Sequence, residues 1–194
     1  MLNREINLSE PQEQIILSGI LGDGNLKRNG RNYYYRETHS KKELEYCKFK
    51  HDILLPYISK SGFHLTDKRD GQYGFQTINS PTFSVYKKME IPDVIDRLNK
   101  FGLILYILDD GWINYKSYNL STGIFNDVII DLIISKYNQE FNCQCFKINH
   151  KRKAISFRGC MNQILPYFKE YVPSDIDIFK NKVQPMLNIW ESKV

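Results

Sequence analysis

Two stretches decide the reading of this chain: Ile15-Ile16-Leu17-Ser18-Gly19-Ile20-Leu21-Gly22-Asp23-Gly24 and Leu103-Ile104-Leu105-Tyr106-Ile107-Leu108-Asp109-Asp110-Gly111. Each is an apolar run closing on Asp-Gly, the pattern of a buried helix that ends in a turn. The segments after each copy run in the same order. After Gly24 come a short strand and then the aromatic Asn32–Thr38. The spacing of Leu44, Cys47, Ile53, Leu54 and Tyr57 predicts a helix over Lys41–Ile58, and His64–Lys68 and Gln72–Ile78 read as a hairpin around Asp70-Gly71. Ser80-Pro81 opens a helix to about Lys88, with Ser as N-cap and Pro first.

After Gly111 the series recurs. Trp112–Lys116 and Tyr118–Thr122 pair, and Asn126 or Asp127 caps a helix to Phe141. Cys143–Asn149 and Lys153–Arg158 form a second hairpin across a basic turn. Met161–Tyr171 is helical up to Pro173, and a short helix is expected near Gln184–Trp190. The fold class is therefore α+β: tandem αββαββα repeats with pseudo-two-fold symmetry and two antiparallel, saddle-like sheets. The halves span 1–88 and 101–194, with 89–100 as connector. Such symmetry suits a DNA duplex, whose strands are themselves related by a two-fold.

Composition narrows the classes. The 194 residues are 42% hydrophobic, which is ample for a core, and carry 27 Lys+Arg against 22 Asp+Glu, a net +5. That excess favours a polyanionic partner. No apolar run approaches the ~20 residues that span a bilayer, so no membrane partner is expected. The opening MLNREINLSEPQEQ lacks the apolar segment of a secretory signal. Cys47, Cys143, Cys145 and Cys160 lack a zinc-like spacing and read as reduced thiols. The expected location is intracellular, in the cytoplasm or in an organelle that encodes the gene. No triad setting is visible around His39, His51, His64 or His150, which read as surface or sheet-edge residues.

The duplicated Asp carries the chemistry. Two helices packed about a pseudo-two-fold, with small Ser18 and Gly22 allowing close approach, would bring Asp23 and Asp110 side by side. Adjacent carboxylates repel unless a cation bridges them, and hard divalent ions on carboxylates and phosphate oxygens are the recurring solution for phosphodiester cleavage. The strands supply a reading surface. Asn32, Tyr34, Arg36 and Thr38 share one face of their strand, as do Gln72, Gly74 and Gln76 of theirs. Phe146, Ile148, Ile155 and Phe157 are expected inward, leaving Lys147, Asn149, Ser156 and Arg158 outward beside Lys151, Arg152 and Lys153. With Lys27, Arg28, Lys68, Arg69, Lys116 and Asn119, these make a basic and amide-rich face suited to phosphates and base edges.

The two Asp-Gly stretches resemble the paired signature motifs of the LAGLIDADG homing endonucleases, in the single-chain, two-motif branch. The resemblance extends from Ile15 to about Lys182, taking in Leu120-Ser121-Thr122, Pro166-Tyr167-Phe168, Val172-Pro173 and Ile178-Phe179-Lys180. It implies a monomer that cuts both strands of a long pseudo-palindromic DNA site across the minor groove, leaving short 3′ overhangs, with Mg²⁺ as cofactor and Mn²⁺ as substitute. It assigns metal to the acid before each terminal Gly, Asp23 and Asp110, and to the preceding carbonyls of Gly22 and Asp109. It also implies a basic residue near each scissile phosphate: Lys180 in the second half, and either Lys87 or Lys88 in the first. Ile104 and Tyr106 depart from the small residue and Trp usual at those places. The alternatives are an RNA-binding intron maturase and a non-cleaving DNA-binding regulator. A pure binder has no need of both carboxylates.

Overall fold

A computed structural model describes the backbone of residues 5–67, 71–114, 117–148 and 153–191, and their side chains apart from 61–67, 114, 117, 147, 148 and 189–191. The chain divides into two compact units, Met1–Glu90 and Ile91–Val194.

The first unit runs α1 (Glu10–Leu21), β1 (Gly24–Asn29), β2 (Asn32–His39), α2 (Leu44–Ile53), β3 (Ile58–Asp67), β4 (Gln72–Thr77) and α3 (Thr82–Lys88). Its sheet is antiparallel with strand order β1-β2-β4-β3. Helix α1 starts where the Gln12 side chain accepts the Ser9 N–H at 2.9 Å, satisfying a donor that the first turn cannot. Its motif residues Ile15, Ile16, Leu17 and Ser18 are all wholly buried. Strand β2 alternates as expected: Tyr35, Glu37 and His39 are buried, while Asn32, Tyr34, Arg36 and Thr38 are half-exposed.

The second unit repeats the order after an added helix: α4 (Ile91–Arg97), α5 (Lys100–Asp110), β5 (Gly111–Asn114), β6 (Ser117–Ser121), α6 (Asp127–Phe141), β7 (Phe146–Ile148), β8 (Ala154–Ser156), α7 (Met161–Tyr171) and α8 (Gln184–Glu191). Its sheet has the matching order β5-β6-β8-β7. Asn99 and Asn126 cap α5 and α6, their Oδ1 atoms accepting from Gly102 N at 3.1 Å and Ile129 N at 3.0 Å. Tyr118, Leu120, Ile155, Phe157 and Phe168 form the core beneath the sheet.

Several expectations are corrected. The helix read over Lys41–Ile58 is α2 flanked by 3-10 turns at Lys41–Glu43 and Leu55–Tyr57, and Ile58 already opens β3. Pro56 cannot continue the helix, which explains the stop. Pro81 is the N-cap of α3 instead of its first residue, and Ser80 Oγ accepts the Thr82 N–H at 3.2 Å. The segment 89–100 carries α4, with Pro92 in its first turn, where a missing N–H is harmless. Phe146 does not pack inward. It pairs with Ser156 and is 49% exposed, while Cys145 takes the buried place. Directly opposed residues of antiparallel strands share a face, and Ser156 alternates with core-facing Ile155, so this register puts Phe146 on the face away from Ile155. His39 is buried, not at the surface.

The motif glycines act through close approach. Gly111 has φ −89° and ψ 152°, ordinary extended backbone. A Cβ on Gly24 would lie 2.3 Å from the Tyr35 hydroxyl, and one on Gly111 2.2 Å from the Tyr118 ring. Each Asp is thus followed by a residue small enough to let a buried tyrosine pack under the motif helix: the Tyr118 hydroxyl donates to the Ile107 carbonyl in the last turn of α5 at 3.5 Å, and the Tyr35 hydroxyl lies 3.4 Å from the Ile15 carbonyl in the middle of α1.

Candidate metal and nucleic-acid site

Asp23 lies in the turn between α1 and β1, exposed, two residues past the helix end. Asp109 and Asp110 close α5 and are half-exposed. In each unit a carboxylate therefore stands where a buried helix passes into the first strand of the sheet.

Beneath Asp23 is a buried polar cluster. His39 Nδ1 is 3.5 Å from Asp23 Oδ2 and 3.7 Å from Glu43 Oε2. Its Nε2 lies 2.6 Å from Glu37 Oε1. The same oxygen accepts from Lys50 Nζ at 2.5 Å, and the other Glu37 oxygen accepts from the Tyr35 hydroxyl. Glu37, His39 and Lys50 are at most 4% exposed, and the Lys50 ammonium also sits 4.6 Å above the Tyr46 ring. Burial pushes the Glu37 carboxyl up, but Lys50, aided by His39, outweighs it and holds the group at about 2. Burial alone would lower His39; its hydrogen bond to Glu37 and the nearby Glu43 carboxylate win and raise it to about 9. A buried ion cluster of this kind needs every member, because removing one strands the others. The sequence alone placed none of it. The available signal was the parity of β2: once Arg36 and Thr38 face out, Glu37 and His39 must face in.

In the second unit Tyr106 is buried within α5, and its hydroxyl has no hydrogen-bond partner among the described residues. Burial, then the nearby Asp110 and Asp109 charges, pushes that phenol up, so it stays neutral. Lys180 is exposed in the π-turn Phe179–Val183. Lys182, two residues on, donates to the Leu108 carbonyl at 2.6 Å and so holds its ammonium at the end of the second motif. Lys87 and Lys88 both lie exposed in the last turn of α3.

The outward face of the first sheet carries a continuous polar row. Asn25, Arg36 and Gln76 are cross-strand neighbours, and Lys27 is paired with Tyr34. Tyr34 and Gln76 also line a groove of about 530 Å³ with Asn29, Lys60 and Asn79. Gln72 is exposed at the end of β4. Arg28 shares the parity of buried Leu26 and folds onto the hairpin turn, its Nε donating to the Gly30 carbonyl at 3.1 Å. The second sheet differs. Asn119 and Ser156 are paired across β6 and β8 but are only 1% and 3% exposed, so they offer no surface donor in this conformation. Arg158 is exposed in the turn before α7, off the strand on which it was expected, and Lys153 donates to the Phe125 carbonyl at 3.1 Å. Lys68, Arg69, Lys116, Asn149, Lys151 and Arg152 lie outside the described residues, as does the Lys147 side chain.

All four thiols are free. Burial pushes Cys143 up to about 12, and the hydrogen bond from its neighbour Cys145, with burial, raises Cys160 further. Both shifts favour the neutral thiol, the less nucleophilic form.

Residues 13–164 match the LAGLIDADG DNA endonuclease family. Among curated proteins, the DNA endonuclease I-ChuI of Chlamydomonas applanata is 25% identical over 136 residues, 56% of this chain and 62% of that protein's length. Among solved structures, the homing endonuclease I-WcaI bound to its DNA recognition sequence matches with TM-score 0.66 at 22% identity, covering 88% of this chain and 86% of the other. I-DmoI in complex with DNA and Mn matches with TM-score 0.55 at 13% identity, over 88% and 100%. Both structural likenesses speak to the fold. The family match spans both Asp-Gly motifs and both sheets, the same elements that the duplicated order singles out, so the chain belongs to the LAGLIDADG DNA endonuclease family.

Proposed function

We propose that the chain is a monomeric, site-specific endonuclease that hydrolyses both strands of a long DNA site, Asp23 serving one strand and Asp110 the other. One observation carries the reading: in each unit a carboxylate stands where the buried motif helix passes into the first strand of a four-stranded antiparallel sheet. The donor set suits a hard divalent ion, because carboxylate oxygens and the backbone carbonyls of Gly22 and Asp109 are its preferred ligands. Such an ion, Mg²⁺ with Mn²⁺ as substitute, would supply a more acidic attacking water and neutralise charge on the leaving oxygen.

The chain's own residues do the rest. Arg36 and Gln76 present bidentate donors and acceptors to base edges, while Lys27 and Arg158 meet phosphates. Lys182 offers an ammonium at the second motif, and Lys180 offers another from the surface. Lys87 or Lys88 serves the first half. The I-WcaI and I-DmoI complexes with DNA support the duplex as partner. An intron-RNA role would not require carboxylates at both motifs.

Selection of cleaved sites from a randomised duplex library with Mg²⁺ tests the reading. Enrichment of one long site, cut on both strands with short 3′ overhangs, is expected. A protein that enriches a bound duplex yet never cuts it with Mg²⁺ or Mn²⁺ is a regulator instead.

A further inference from the structure

The imidazole beneath Asp23 is arranged as a metal ligand is. Its Nε2 faces the Glu37 carboxylate at 2.6 Å. A carboxylate there can only accept, so Nε2 carries the proton and Nδ1 is the nitrogen left to bind. That Nδ1 is buried, makes no hydrogen bond among the described residues, and lies 3.5 Å from Asp23 Oδ2. A ligating histidine that donates its other N–H to a buried carboxylate is the usual outer-shell arrangement of imidazole–metal sites. Glu37 is itself fixed by Lys50 and Tyr35, and the His39 ring is held edge-on to Tyr46 at 5.3 Å between centroids. Glu43 Oε2 also lies near this nitrogen, 3.7 Å from Nδ1.

We infer that His39 is a direct metal ligand: its Nδ1 joins Asp23 in holding the first unit's divalent ion. Glu37, with Lys50 and Tyr35, is the positioning group that fixes the ring. On binding, the imidazole gives up any Nδ1 proton to solvent and keeps the Nε2 proton on the side of Glu37. The first-unit site is then a mixed nitrogen and oxygen site. Imidazole favours later transition ions over Mg²⁺, so this half takes Co²⁺ and Ni²⁺ more tightly than an all-oxygen site would. The inference rests on the reading of Asp23 as a metal residue, and the test separates the two.

The probe is Mn²⁺ alone, added to the full chain and followed by pulsed electron paramagnetic resonance. The wild type should show nitrogen coupling to Mn²⁺ that changes from the ¹⁴N to the ¹⁵N pattern when histidine is ¹⁵N-labelled, a comparison that needs no substitution. In His39→Gln that coupling should vanish, and Ni²⁺ affinity should fall by at least about tenfold while Mg²⁺ affinity changes little. Mn²⁺ that is bound through Asp23 but shows no histidine coupling would overturn His39 as a ligand and leave the endonuclease reading standing. Mn²⁺ uptake unchanged in Asp23→Asn would overturn both.

Discussion

At the scale of single residues, two neighbours with the same side chain have different tasks in the proposed function. Asp110 closes α5 and precedes Gly111, and Asp109 sits one residue earlier, so the proposed site takes the carboxylate of the first and only the backbone carbonyl of the second. Asp110→Asn keeps the shape and removes the charge, so cleavage should fall by orders of magnitude while specific binding persists. Asp109→Asn should leave most of the activity, and timed cleavage assays on one duplex compare the pair. Lys50 gives a second residue-scale prediction. Lys50→Met strands the Glu37 charge in the core and should lower stability by about 3–5 kcal/mol, read by urea unfolding. The same cluster sets a pH dependence in metal-free protein. Glu37 falls from 4.5 to about 2 on folding, so its contribution is complete above 4.5 and is lost as pH drops toward 2. His39 rises from 6.5 to about 9, so its contribution is complete below 6.5 and is lost as pH climbs toward 9. The melting temperature should therefore peak between about pH 4.5 and 6.5; a profile that kept rising from 6.5 to 9 would contradict the cluster's charges.

At the scale of elements, the contact that matters joins each motif to its sheet. Gly24→Ala would drive a methyl into the Tyr35 ring and hydroxyl, which are pinned by the cluster beneath. A cost of about 1–3 kcal/mol is expected, read as a lowered melting temperature. Most elements were legible because their signals are local: α6 follows its Asn126 cap and apolar spacing, α7 its apolar spacing and the stop at Pro173, and β2 its alternation. Strand β7 was not legible. With three residues, Phe146–Ile148, it is too short for alternation to fix which face is inward, and the pairing with β8 decides. Lys50 was not legible either, because a lysine on a helix reads as solvated until its partner on another strand is known. The site was half legible. The carboxylates announce themselves by repetition, whereas His39 and Lys182 acquire meaning only from distant residues folded against them.

At the scale of the whole molecule, one chain carrying two carboxylate-headed sheets needs no second copy to address two DNA strands. Light scattering should return a monomer at micromolar concentration. With roughly 6–10 phosphate contacts, affinity for the selected duplex should drop by about 10³–10⁵ between ~50 and ~200 mM salt, and salt-insensitive binding would remove the polar sheet face from the account. The claim that unites these observations is one carboxylate for each strand. Its most direct test is strand-resolved cleavage of the selected duplex in Mg²⁺ by the wild type, Asp23→Asn and Asp110→Asn. The account predicts both strands cut by the wild type, and in each variant one strand, a different one for Asp23→Asn and Asp110→Asn, cut slower by orders of magnitude with binding retained. Cleavage at the wild-type rate by Asp110→Asn would contradict it.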